Sequence, residues 1–86
     1  MKLPVIRSLT NYIEEHDKQA VLSSIEVLEH LSQARGLSDE ELDVIGELIS
    51  NMCGSLEVDN MVHQGQSKSD AMNTFMQRVL GSIDKN

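Results

Sequence analysis

The sequence predicts an all-α protein, and three observations carry that prediction. Apolar residues return every three or four positions along most of the chain. No stretch alternates apolar and polar residues between turn signals, so a sheet has nothing to be built from. With an aromatic content of 2%, supplied by Tyr12 and Phe75 alone, the core must be made of Leu, Ile, Val and Met, which suits helices.

Four helices follow from the punctuation. Val5, Ile6, Leu9, Tyr12 and Ile13 recur at helical spacing, with Pro4 in the first turn where proline is tolerated, which places helix one over about 4–16. Asp17 is positioned to cap the second helix, about 18–35. There Val21, Leu22, Ile25, Leu28 and Leu31 form a stripe, and Arg35 and Gly36 close it with a cation and then a glycine. Ser38-Asp39-Glu40-Glu41 reads as a capping box opening helix three, about 39–64. A serine at 67 with an acid at 70 opens helix four, about 68–83, along the stripe Ala71, Met72, Phe75, Met76, Val79, Leu80 and Ile83. The Gly-x-Ser at 36–38 and 65–67 is shared capping chemistry rather than a duplication, because the residues that follow do not match.

Helix three raises the main structural question. Leu42, Ile45, Ile49, Met52 and Leu56 are spaced 3, 4, 3 and 4, whereas Val58, Met61 and Val62 fall about half a turn away on the helical wheel. The apolar face therefore switches near Gly54. Either the chain breaks there or one continuous helix is buried first on one side and then on the other. Leu56 keeps the first seam beyond Gly54, which favours the continuous helix. Two buried sides ask for more partner surface than three short helices easily supply, which points to a second copy of the chain. An interior glycine costs about 1 kcal/mol relative to alanine, so Gly46 and Gly54 call for compensation by close backbone approach or by the break itself. The expected interface is Leu42, Ile45, Gly46, Ile49, Met52, Val58, Met61 and Val62.

At 86 residues the chain reads as a single helical domain, 1–86, near the size where one core gives only a few kcal/mol. Fourteen acidic against seven basic residues give a charge of -7, which disfavours binding to nucleic acid or anionic lipid. No apolar run reaches the roughly 18 residues of a membrane span, and MKLPVIRSL meets a polar residue too early for a secretory signal. A single cysteine cannot form an intrachain disulfide. The expected location is the cytoplasm.

Candidate sites are few. Cys53 lies beside the Leu42–Leu56 seam and reads as a small core hydrophobe; His63 is ten residues on, about 15 Å along a continuous helix, so helix three holds no thiol–base dyad. Glu26 with His30 and Asp59 with His63 share faces at i, i+4 and read as solvated surface pairs rather than metal ligands. Tyr12 and Phe75 read as core or interface. There is no glycine-rich phosphate loop and no polar cluster at ligand spacing, so neither a cofactor nor a metal is expected.

Taken together, "KLPVIRSL", "VLEHL", "DEELDVIGELISNM" and "NTFMQRVLGSI" resemble, nearly end to end, a family of small uncharacterised bacterial proteins found chiefly in the Bacteroidetes. That resemblance implies no activity. The resulting expectation is a non-enzymatic, self-associating interaction or accessory protein, most simply a homodimer. One alternative is a thiol-redox accessory protein using Cys53. Another follows from Gly54-Ser55-Leu56, which resembles the Asp-Ser-Leu attachment motif of acyl carrier proteins with glycine in place of the aspartate, and would make Ser55 the modified residue.

Overall fold

A computed structural model describes residues 2–84, with side chains from residue 2 to residue 79. Four helices follow in order: α1 Leu3–Glu15, α2 Lys18–Leu31, α3 Asp39–His63 and α4 Lys68–Asp84. The described residues contain no strand. Leu80 and Ile83 of the expected helix-four stripe lie outside the described side chains.

In α1, Pro4 occupies the first turn, and Ile6, Thr10 and Ile13 are buried on one face. Burying Thr10 is tolerated because its hydroxyl donates to the Ile6 carbonyl at 2.8 Å. The start of α1 is held by the Lys2 amide, which donates to Oδ1 of the buried Asn51 at 2.9 Å.

Asp17 takes the N-cap position of α2 in extended backbone, but its side chain makes no capping hydrogen bond. The helix also ends at Leu31, four residues before Arg35. No stripe residue follows Leu31 to keep the helix seated, and the amides of Gln33 and Ala34 instead reach back only three residues, to His30 and Leu31. Gly36, at φ +88°, serves the connection into α3, and Gly65, at φ +109°, serves the turn into α4.

The capping box of α3 is complete. The Glu41 amide donates to Ser38 Oγ at 3.1 Å, and the Ser38 amide donates to Glu41 Oε1 at 2.9 Å. At the start of α4 the Asp70 amide likewise donates to Ser67 Oγ at 3.1 Å.

Helix α3 runs unbroken through Gly54 and is the spine of the molecule. Its C-terminal half packs against α1 and α4 in the main core of Ile6, Val58, Met61, Ala71, Met72 and Phe75, with Val62 against its edge. Its N-terminal half meets α2, with Ile45 buried near Leu31 at one end and Val21 buried near Met52 at the other. The face switch is thus served within one chain: α2 covers one side early, and α1 and α4 cover the other side late. A second copy is not needed to explain it, contrary to the expectation from the wheel.

Gly54 is where the three-helix unit closes. A Cβ there would lie 3.0 Å from Phe75 Cζ and 3.3 Å from Ile6 Cδ1. Gly46, in the same helix, has nothing within 4 Å of its Cβ position. Two polar links hold the unit's rim: Lys68 Nζ to Glu14 at 2.9 Å and to Asn11 Oδ1 at 2.7 Å, and Arg78 to Glu57 at 2.7 Å.

Identical substitutions in α3 should therefore have opposite signs. Gly46→Ala should stabilise by about 0.5–1 kcal/mol through helix propensity. Gly54→Ala should destabilise by about 1 kcal/mol, because overpacking against a buried ring outweighs that gain. Urea unfolding of the two variants checks both. The capping box predicts a pH effect as well. The Ser38 amide, and then its hydroxyl, hold the Glu41 carboxyl below the usual carboxylate range. Its contribution is present above the unfolded value, near 4.5, and is lost as pH falls through the lower folded value. Ser38→Ala should cost about 1 kcal/mol at neutral pH, whereas Glu41→Gln removes the carboxylate that the Ser38 amide holds, so its difference from the parent should shrink on acidification, read by thermal melts across pH 3–7.

Candidate functional site

The residues expected to form an interface divide in two. Val58 and Met61 are consumed by the chain's own core, and Val62 packs against its edge. Ile45 is buried, Leu42, Ile49 and Met52 are half-buried, and Gly46 is exposed. These eight residues do not form one open face.

Both nucleophile alternatives change as well. Cys53 is exposed, not a core residue. It shares its face of α3 with Gly46, seven residues earlier, and with Glu57, four later, whose carboxylate pairs with Arg78 of α4. Ser55 is fully buried in mid-helix, and its hydroxyl donates to the Met52 carbonyl at 2.7 Å. A carrier arm cannot be attached to a hydroxyl sealed in this way, so the acyl-carrier reading falls.

The histidines hold no metal cluster. A hollow of about 380 Å³ where the α1–α2 turn meets the end of α3 gathers His16, Lys18, Asp59 and His63. Among the described residues, however, no three His, Cys, Asp or Glu side chains stand together as metal ligands. Asp59 is buried rather than solvated, as the sequence had suggested. His63 Nδ1 lies 2.9 Å from the Asp59 carbonyl and 3.4 Å from its carboxylate. A carbonyl only accepts, so Nδ1 is the donor, and the interaction stays local to one turn of helix. Tyr12 stacks on His16, ring centroids 4.4 Å apart, and is exposed, while Phe75 is in the core.

The feature that stands out is an apolar groove between α2 and the N-terminal half of α3. On α2, Ala20, Ser24, Val27 and Leu31 follow at i, i+4, i+7 and i+11 and share one flank. On α3, Val44, Leu48 and Met52 follow at intervals of four. Val27 is 66% exposed and Val44 60%, with Leu31 and Leu48 near 40%. At one end a hollow of about 450 Å³ is lined by Leu31, Leu37 and Val44. At the other a smaller one, about 180 Å³, is lined by Leu9, Tyr12, Ala20, Ser24 and Met52. The two hollows lie along the same flank of both helices. Val27, Val44 and Leu48 are absent from the stripes read in the sequence. Their signal was a second apolar row, four residues apart, beside each stripe.

These features define a class: an all-helical protein built on a spine helix, with a closed three-helix unit at one end and a two-helix arm with an open apolar flank at the other. No described helix is long and apolar enough to cross a membrane. The chain belongs to the family of unknown function DUF6952, whose model matches residues 1–84, in keeping with the end-to-end resemblance of the sequence to an uncharacterised family. No curated protein and no solved structure matches it.

Exposure of Cys53 has a direct readout. The native protein should react with a thiol reagent as fast as the urea-unfolded chain to within about tenfold, and Cys53→Ser should change stability by no more than about 0.5 kcal/mol. A thiol released only by unfolding would contradict the geometry.

Proposed function

We propose that the protein is a non-enzymatic interaction or accessory module that works as a homo-oligomer, most simply a dimer. One observation carries this reading: the chain is too open for its size. A compact chain of this length has a radius of gyration of about 12 Å, whereas here it is 14.0 Å. The extents are 44 × 36 × 17 Å, so the shortest is only about one and a half times the 10–12 Å diameter of a helix. The accessible surface is 5956 Å², against about 5,100 Å² expected for a monomer of this mass. The surface is thus larger than that of a compact monomer. The same chain leaves the apolar flank of the arm open.

The absence of catalysis in this reading draws on the two candidate nucleophiles. The Ser55 hydroxyl is committed to a carbonyl in its own helix. Cys53 has His63 ten residues along the same continuous helix, beyond reach of its thiol. The exposure of Cys53 favours one second reading, a thiol accessory role, for which the direct assay is exchange with a protein in its disulfide form, the Cys53 thiolate attacking one sulfur to give a mixed disulfide and releasing the other as a thiol.

Light scattering across a dilution series tests the first reading. The expected mass is about twice 9.6 kDa down to micromolar concentration, unchanged when Cys53 is alkylated. A mass of one chain at every concentration would overturn it.

A further inference from the structure

We infer that the hollow between the α1–α2 turn and the end of α3 binds a small zwitterion, an α-amino acid, whose ammonium meets the Asp59 carboxylate and whose carboxylate meets Lys18 and the start of α2. This goes beyond the oligomer reading and does not rest on it.

The hollow, about 380 Å³, is of a size that takes a small molecule. Ile13 and Asp59, both buried, form its floor. His16, Lys18 and His63 are exposed and stand at its rim. Three helices supply these side chains, so it is the fold that gathers them.

The first observation is the state of Asp59. Its side chain is only 7% exposed, yet among the described residues its carboxylate accepts no hydrogen bond, because His63 Nδ1 is 3.4 Å away and is already given to the Asp59 carbonyl at 2.9 Å. No buried side-chain oxygen or nitrogen of the described residues is left without a hydrogen bond. The Asp59 oxygens are therefore open to the hollow that they line rather than sealed off. A carboxylate set this deep is costly without a donor, and an ammonium supplies charge-assisted N–H bonds to it.

The second observation is the opposite charge across the same hollow. Lys18 lines it, and among the described residues its ammonium makes no ion pair with Asp59 or with any other carboxylate. Helix α2, 14 residues long, also begins here, and the Asp17 side chain leaves its first-turn amides uncapped. The positive end of that helix thus lies at the rim, where it favours a carboxylate. A lone anion would meet Asp59, and a lone cation would meet Lys18. A guest carrying both charges satisfies both ends. Asp17 lines the rim as well, so two carboxylates stand against one ammonium and two imidazoles, and a single protonated imidazole balances them. That balance suits a guest with no net charge. Tyr12, stacked on His16 at 4.4 Å, steadies one wall, and Ile13 offers an apolar floor to the guest's side chain.

A nitrogen-15 NMR titration of the full chain with each common L-amino acid in turn, to about 10 mM, tests this and reads dissociation constants near 1 mM. At least one should move the amides of Lys18 and Gln19 and the ring of His63 saturably. Asp59→Asn, which keeps the shape and removes the charge, should weaken that binding by about tenfold or more. Lys18→Gln should do the same, and because Lys18 is exposed and outside every printed ion pair it carries the test if Asp59→Asn fails to fold. Asp43→Asn, exposed on the first half of α3, should change nothing. Methylammonium and acetate, each with one of the two charges, should bind about tenfold more weakly or worse. No saturable shift with any amino acid, or binding that ignores both Asp59→Asn and Lys18→Gln, overturns the site. Acetate or methylammonium binding as tightly as the amino acid overturns the zwitterion. None of these outcomes depends on whether the chain is a monomer or a dimer.

Discussion

The fold depends on the close approach at Gly54. Phe75 from α4 and Ile6 from α1 both lean on the backbone of α3 at this position, where a Cβ would stand 3.0 Å from the ring. Around that contact gather Val58, Met61, Ala71 and Met72, and each large side chain buried there contributes about 1.5–3 kcal/mol. Because α1 and α4 are both drawn to the C-terminal half of α3, neither reaches across its N-terminal half. That half is left to α2 alone.

This division has an energetic consequence. A two-helix arm can bury only the faces its helices turn toward each other, and here Val21 and Ile45 are buried while Ile25, Leu28, Leu42 and Ile49 stay half-buried. The flanking rows, Val27 with Leu31 and Val44 with Leu48, have no intrachain partner to cover them. Val27 at 66% and Val44 at 60% exposure are the parts of these rows that the arm leaves most open. The closed unit therefore fixes the C-terminal half of the spine, and the arm leaves the other half more open.

Electrostatics plays a minor part. Of the described acidic side chains, Asp59 is buried, Glu47 and Glu57 are half-buried and the others are exposed, and the Lys68–Glu14 and Arg78–Glu57 pairs lie at the rim of the helix junctions. Acidic residues at the opening of α3 serve the capping box and the helix dipole. Glu40 and Glu41 also border the groove at its wider end.

How much was legible follows from the range of each interaction. Caps and periodicity act within one or two turns, so the four helices, the capping box at Ser38 and Glu41 and the switch of the apolar face near Gly54 were legible in the sequence, which favoured the continuity of α3 without deciding it. Its reading of α2 ran four residues too far, since the Arg35-Gly36 signal marks the connection rather than the helix end. Only the tertiary structure decided which helices cover which side of α3, and so moved Val58 and Met61 into the core, sealed Ser55, and exposed Cys53. The groove flanked by Val27 and Val44 emerged at that same step. Burial depends on where α1, α2 and α4 come to rest in space, and residues far apart in the chain, such as Ile6, Gly54 and Phe75, set that only once they meet.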